Sequence, residues 1–403
     1  MIKLSCVFCR AGKFCPMHSH ETLFNIKNFS KEEFASTSPP TVFIGSKLKY
    51  PKVNVGILAP PEETENAWLY DAQRYWAQNN YVIPQIVRLR SNLINSRFQT
   101  NVYEARKSSR FLAIAQEIGM ASKPTNIEVA LQKKIKINSS FDQITLPMGP
   151  IAPLKNIQIT ENPKIPMKVD KVVSDTDLKA VDAMLYLYQN EFDEKDLSQL
   201  LSLGILGLQK NRRLVPSSFS ITATDDILGK SLIKKIQEYK HLDAYKLYHG
   251  SYLGNYYFLL FFPEVFSYEL FETYVSNQTW NGKATMHDYE SHYGRKKYVD
   301  ETAGGYFACR LGILQKLNAI KRQASILALR FITPAYTTSL GVFVCREATR
   351  KALENEISFS TKEELIQKTK EIIFEKFRFD IVNTLKQSKL LAQVNQPKLT
   401  QYL

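Results

Sequence analysis

The run Ala303-Gly304-Gly305-Tyr306-Phe307-Ala308-Cys309-Arg310-Leu311-Gly312-Ile313-Leu314-Gln315-Lys316-Leu317-Asn318-Ala319-Ile320 decides the fold class, together with the stretch immediately C-terminal to it. After Lys321-Arg322-Gln323 comes Ala324-Ser325-Ile326-Leu327-Ala328-Leu329-Arg330-Phe331-Ile332. Gly304-Gly305 opens a helix that runs from Tyr306 to about Ile320 by its apolar content. Ala324 to Ile332 reads as a buried strand. Long helix and buried strand therefore lie side by side in one chain.

The same mixture extends outward. Gly341 to Val344 reads as another buried strand, and Arg346 to Glu356 and Lys362 to Phe377 as helices. Thr361 with Glu364 forms a capping box for the second of these. Toward the N-terminus, Ala244 to His249 and Asn255 to Phe262 are strand candidates rich in Tyr and Phe. Ser218 to Thr224 alternates as a strand and leads into a helix near Asp225-Asp226. Ser174 to Asp177 caps a helix ending near Gln189, and Glu194 to Leu203 forms a shorter one. Thr41 to Ile44, Val53 to Leu58 and Ile151 to Ile159 read as extended, Glu65 to Gln78 and Tyr103 to Ile118 as helical. Helices and strands do not alternate strictly, so the class is α+β with a mixed sheet and flanking helices.

The chain has 403 residues, enough for one large or two moderate domains. Its 44% hydrophobic and 23% charged residues are those of an ordinary globular protein. The net charge of +14 suits an anionic partner. The longest apolar run, Tyr256 to Phe266, is broken by Pro263 and Glu264, so no membrane partner is expected. No apolar signal segment follows Met1, and the five cysteines give no even disulfide framework, so a reducing interior is expected.

Composition divides the chain into three parts. Residues 1–22 form a zinc-binding module, residues 23–375 an α+β body divisible into two subdomains, and residues 376–403 a basic, helical and flexible tail. Cys6, Cys9, Cys15 and His18 follow the spacing C-x₂-C-x₅-C-x₂-H. Four such N and S ligands suit a closed, structural, tetrahedral Zn²⁺ site, with His20 competing for the place of His18. A redox cysteine pair and an iron–sulfur site are the alternatives.

The tail ends in Gln396-Pro397-Lys398-Leu399-Thr400-Gln401-Tyr402-Leu403. One turn of 3₁₀ helix places Leu399, Tyr402 and Leu403 on one face and leaves Gln396 at the rim. This resembles the PIP box through which proteins bind the sliding clamp PCNA. With the positive charge it favours DNA as the anionic partner.

The body resembles the archaeal Nre family of DNA-repair proteins. The resemblance lies in Leu214-Val215-Pro216-Ser217-Ser218-Phe219-Ser220-Ile221-Thr222-Ala223-Thr224-Asp225-Asp226 and in the block from Ala303 through Lys321-Arg322-Gln323-Ala324 to Arg346-Glu347-Ala348-Thr349-Arg350. Phe43-Ile44-Gly45, Tyr50-Pro51-Lys52-Val53 and Glu161-Asn162-Pro163-Lys164-Ile165-Pro166 also carry it. It implies an archaeal, cytoplasmic DNA-damage-response protein that binds PCNA through its C-terminus. The family pattern leads one to expect an Arg-Trp pair where this chain has Ser218-Phe219.

Three polar clusters in the body are candidate chemistry. Arg212, Arg213, Ser218, Ser220, Thr222, Asp225 and Asp226 would hold phosphate if the three hydroxyls shared a strand face; the alternative is a solvated face followed by a helix cap. His287, Asp288, Glu290, His292, Tyr293 and Arg295 combine acid, imidazole and cation, or form a polar loop. Arg310, Arg322, Arg330, Arg346, Glu347 and Arg350 place Arg346 and Arg350 one helical turn apart, toward phosphate or as ordinary ion pairs. The phosphate or DNA candidates are thus Arg212, Arg213, Ser220, Arg322, Arg346 and Arg350. Tyr252, Tyr256 and Tyr257 are candidate stacking residues, and Cys309 and Cys345 core residues. Two functions remain open: a clamp-associated DNA-binding repair factor, and an enzyme on DNA or a nucleotide, a nuclease or an ADP-ribosyl-type transferase.

Overall fold

The computed structural model describes residues 31–107, 109–135, 145–275, 285–295, 297–394 and 396. The zinc candidates Cys6, Cys9, Cys15 and His18 and the clamp candidates Leu399, Tyr402 and Leu403 lie outside the described residues, and Gln396 lies within them. The chain divides into two units, the first Met1–Asp225 with Thr337–Gly341, the second Asp226–Tyr336 with Val342–Leu403. Each holds one six-stranded mixed sheet, and the class is α+β as the sequence leads one to expect. Among the described residues no helix is long and apolar enough to cross a membrane.

In the first unit the strands are β1 (Glu33–Ser38), β2 (Val42–Gly45), β3 (Lys52–Ala59), β4 (Ile94–Asn101), β5 (Thr125–Leu131) and β6 (Ile151–Ile159), in the order β1-β5-β6-β4-β3-β2. All neighbours are antiparallel except β4 and β6. Thr125, Ile127, Val129 and Leu131 are buried at every second position of β5, the period of a pleated strand. The helices are α1 (Gln73–Gln78), α2 (Ile83–Ser91), α3 (Arg110–Met120), α4 (Met167–Ser174), α5 (Ala180–Gln189), α6 (Glu194–Ser202) and the start of α7 (Ser217–Ile236). On α3, Leu112, Ala115 and Ile118 turn inward, one residue per turn. A buried ion cluster ties the parts together. Asp71 lies 2.7 Å from Arg90 and 3.2 Å from Lys195, and accepts from Thr41 Oγ1 at 2.6 Å. Burial alone would raise the Asp71 carboxyl, but Lys195, Arg90 and Thr41 together hold it below its ordinary value.

The second unit orders β7 (Tyr245–Tyr252), β8 (Asn255–Phe262), β9 (Ser267–Tyr274), β10 (Thr285–Glu290), β11 (Ser325–Ile332) and β12 (Glu356–Phe359) as β10-β9-β11-β8-β7-β12. β11 is parallel to β9 and antiparallel to β8, and all eight of its residues are buried. Leu253 and Gly254, with φ of 48° and 77°, join β7 to β8 by a two-residue turn of the type that matches strand twist. Its helices are the rest of α7, α8 (Ala303–Ile320), α9 (Val342–Ala352), α10 (Lys362–Phe377), α11 (Val382–Gln387) and α12 (Lys389–Val394). Leu327, Leu329 and Phe331 pack with Leu365, Ile373, Leu390 and Leu391 of α10 and α12 on one face. Each such side chain contributes about 1.5–3 kcal/mol by burial. α8 lies over the opposite face, where Tyr306 meets Tyr268 at 4.8 Å. It is buried all round from Gly304 to Leu314, so it carries no amphipathic stripe. Gly305 permits the close approach, since an added Cβ would stand 2.6 Å from Glu272 Oε1.

The structure corrects several sequence readings. Ser218 to Thr224 is helical, the first turns of α7, not a strand. The alternation of hydroxyls misled because Ser220 and Thr222 bond back to the carbonyls of Ser217 and Ser218 at 3.0 and 3.1 Å. Gly341 to Val344 is not a strand either; Val342 begins α9, whose first residues, Val342 to Cys345, are apolar and buried. His287 to Glu290 lies on β10 rather than in a loop. Tyr257 is fully buried, Tyr252 buried and Tyr256 half-buried, so this trio serves sheet packing rather than exposed stacking. The capping box of Thr361 and Glu364 is present, and Cys309 and Cys345 are buried. Leu390 and Leu391 of the C-terminal segment are core residues of the second unit.

Candidate nucleic-acid interface

Exposed aromatic and basic groups converge in the first unit, where two guanidinium groups share one tyrosine ring. β4 ends at Asn101, whose side chain accepts from Tyr103 N at 3.0 Å and starts a short 3₁₀ turn, Val102–Arg106. Val102 N donates to Pro51 O at 3.0 Å, and Leu214 N donates to Val102 O at 2.9 Å. Three distant segments therefore meet at this turn. Tyr50 and Tyr103 are 65% and 37% exposed. Their hydroxyls share a 2.6 Å hydrogen bond, and their rings meet edge to face at 6.3 Å. The hydrogen bond with Tyr103 raises the Tyr50 phenol above its ordinary value, so it is neutral at physiological pH.

Arg106 and Arg213 both place their guanidinium carbons 5.1 Å from the centre of the Tyr103 ring. Neither is ion-paired with a carboxylate among the described residues. Arg106 Nε donates to Arg212 O at 3.3 Å; the ring face attracts the cations and leaves the other N–H groups of Arg106 for an external acceptor. Lys47, Lys49, Lys52 and Lys107 are exposed within a few residues of the same segments, and Glu104 is the acid of the turn.

Arg212 and Arg213 divide the work of holding this face. Arg212 is buried and donates to Gly207 O at 2.9 Å, Val173 O at 2.7 Å and Asp175 O at 3.2 Å. Its neighbour, one residue on, is exposed. Burial holds the Arg212 guanidinium below its ordinary value. Ser220 is also buried and satisfied internally. Of these three candidates from the first cluster, then, Arg213 alone is at the surface.

The other clusters lie in the second unit. Arg310 is 1% exposed and pairs with Glu290 at 2.8 Å and Asp226 at 2.7 Å. Arg330 meets Glu272 at 2.6 Å and Asn255 Oδ1 at 2.6 and 3.0 Å. Arg346 is buried on α9; Arg350 donates to Glu347 at 2.6 Å and Gln315 at 3.2 Å. Arg322, half-buried, donates to Lys321 O and reaches Asp243 at 3.4 Å. In the remaining cluster, Asp288 accepts from the amides of Asp300, Glu301 and Thr302 at 2.8–2.9 Å and meets Arg295 at 3.1 Å. Burial would raise its carboxyl, and those amides hold it below the ordinary value. It fastens the segment before α8. His287 stacks on Phe271 at 4.8 Å, and its hydrogen bond with Glu269 raises its imidazole above the ordinary value. Among the described residues no group of three His, Cys, Asp or Glu side chains is placed to hold a metal ion.

Sequence reasoning missed Tyr50, Tyr103 and Arg106. The run Lys47-Leu48-Lys49-Tyr50-Pro51-Lys52 carries a basic and aromatic signal, but the pairing with Tyr103 is long-range.

Comparison with known proteins bears on the whole chain. The family description "Archaeal Nre, N-terminal" matches residues 9–281, and "Archaeal Nre, C-terminal" matches residues 290–402. The chain is 35% identical to the DNA repair protein NreA of Haloferax volcanii, over 79% of this chain and 78% of that one. It is 34% identical to the DNA repair protein NreA of Archaeoglobus fulgidus, over 88% and 90% respectively. With the DNA repair protein NreB of the same organism the identity is 30%, over 99% and 100%. No solved structure matches it. Two matching family descriptions that together span both units, and relatives aligned over most of their length, lead to one conclusion: the chain belongs to the archaeal Nre family.

Proposed function

We propose that this chain acts in DNA repair, holds DNA on the Tyr103 face of its first unit, and is tethered to PCNA by its C-terminus. The relatives are named DNA repair proteins, and the net charge of +14 suits DNA. The observation that carries the reading is the pair of arginines over one exposed tyrosine ring, with no carboxylate partner among the described residues. Aromatic stacking on an unpaired base is worth about 1–3 kcal/mol, and guanidinium groups bind phosphate. Such a face prefers DNA with unpaired bases over intact duplex. Arg310, Arg330 and Arg350 of the second unit, being engaged by carboxylates of their own chain, lend no support to a catalytic pocket built from them.

Two further parts complete the reading. Cys6, Cys9, Cys15 and His18 hold one structural Zn²⁺, which metal analysis of protein purified without chelator tests directly. Gln396, Leu399, Tyr402 and Leu403 bind the clamp. Gln396 is exposed and follows closely on α12, which is anchored through Leu390 and Leu391. The tether is therefore short, and DNA-bound protein raises the effective concentration of the motif at the clamp.

Fluorescence anisotropy with single-stranded and duplex oligonucleotides of equal length tests the DNA reading. Tighter single-strand binding, weakened in Tyr103→Ala, is expected. A Tyr103→Ala protein that binds single strands as tightly as the parent contradicts it.

A further inference from the structure

The sheet of the first unit forks. β4 and β6 pair only from Asn95 to Arg97, opposite Ile151 to Pro153. From Phe98 onward β4 has no ladder partner on that side among the described residues. The start of α3 flanks the fork, and a groove of about 670 Å³ remains there. Its walls include Arg97, Phe98 and Gln99 of β4, Arg110 and Phe111 of α3, and Gln132 just after β5. Among the described residues no carboxylate lines it.

That composition points to an anionic, planar ligand. Neither Arg97 nor Arg110 is ion-paired among the described residues. Arg97 Nε is buried with no hydrogen-bond partner, and burial holds the guanidinium below its ordinary value. A partly buried cation without a counter-charge is costly, and an arriving anion relieves that cost. Phe98 and Phe111 meet edge to face at 5.7 Å, and Arg110 lies 5.9 Å from the centre of the Phe111 ring. Aromatic and guanidinium planes are the surfaces on which bases stack. The volume falls in the range of small-ligand sites, roughly 300–1,000 Å³.

We propose that this groove binds a nucleoside phosphate, with the phosphate on Arg97 and Arg110 and the base against the Phe98–Phe111 pair. The ligand is either a free nucleotide or one nucleotide of a DNA strand. The second source rests on the DNA reading above. It is favoured by continuity, because one stretch of chain runs from Phe98 through Tyr103 and Arg106 to Arg110.

The test is calorimetric titration of the full chain with 2′-deoxythymidine 5′-monophosphate and, separately, with inorganic phosphate. The parent protein binds the nucleotide, and Arg97→Met weakens it about tenfold or more by removing charge-assisted hydrogen bonds. Phe111→Leu weakens the nucleotide but not inorganic phosphate. Arg97→Met unfolds in denaturant no earlier than the parent, since it removes an unpaired cation. Tyr103→Ala leaves the nucleotide affinity unchanged. Competition of the nucleotide with labelled single-stranded DNA assigns the groove to the strand, and binding without competition assigns it to a free nucleotide. No nucleotide binding by the parent, or equal affinity in Arg97→Met, overturns the proposal. If oligonucleotides still bind in that case, the groove assignment fails and the Tyr103 face stands. If the nucleotide binds and no oligonucleotide does, the reverse holds.

Discussion

Arg310 and Arg330 of the second unit are buried against Glu290, Asp226 and Glu272, whereas Arg106 and Arg213 of the first unit face a tyrosine ring and no carboxylate. The residue type is the same and the consequences are opposite. A guanidinium enclosed with carboxylates has its charge and donors consumed, and it specifies the fold. A guanidinium resting on an aromatic face keeps donors and charge for a ligand. Arg90 shows that the division concerns partners rather than units, for it is a first-unit arginine consumed by Asp71. Arg212, buried on main-chain carbonyls, shows that the acceptor need not be an acid: what an arginine does is decided by whether acceptors of its own chain consume its donors.

The largest expected effect lies on the buried side of this contrast. Arg310→Met leaves Glu290 buried without its partner and should cost about 3–5 kcal/mol, read by chemical denaturation. A loss below about 1 kcal/mol would mean that this pair does not hold the second unit together. Next comes the C-terminus of the same unit. Tyr402→Ala should weaken clamp binding by about 2 kcal/mol or more, as for buried aromatic anchors, and leave DNA affinity unchanged. Calorimetry against PCNA with the parent and with protein lacking residues 396–403 checks this. Equal affinities would place any clamp contact elsewhere.

A smaller effect belongs to the exposed side. Arg213→Ala should weaken DNA modestly and lower the slope of log affinity against log salt by about 1. The smallest concerns His287. Its folded pKa is raised by Glu269, so its contribution to stability is present below the ordinary histidine value and fades as pH rises through the raised one. His287→Phe should thus lower stability by less than about 1 kcal/mol at about pH 5 and by nothing measurable at about pH 9. A pH-independent loss would assign the residue to packing on Phe271 instead.

Much of the fold is legible in local pattern. The strand at Ser325–Ile332, the helix from Ala303 and the box of Thr361 and Glu364 all follow from composition and spacing. Ser218 to Thr224 was not legible as a helix, because serine and threonine hydroxyls can bond either to water on a strand or back to their own helix carbonyls. Nor was Val342 to Val344, since a short apolar run does not distinguish a buried strand from a buried helix start. The candidate site was legible only in Arg213. Its setting depends on Tyr50, Tyr103 and Arg106, joined through main-chain contacts between remote segments. No local period encodes such a meeting.

On the proposed reading Arg106 and Arg213 over Tyr103 contact DNA, while Arg310, Arg330 and Arg350 of the second unit serve the fold. Its most direct test compares two double variants, Arg106→Ala with Arg213→Ala and Arg322→Ala with Arg350→Ala. For each, single-stranded DNA affinity is measured across a salt series on protein verified as folded. The first pair should lower the salt slope by about 2 and the second should leave it unchanged. A slope that falls only for the second pair would move the DNA contact from the Tyr103 face to the second unit.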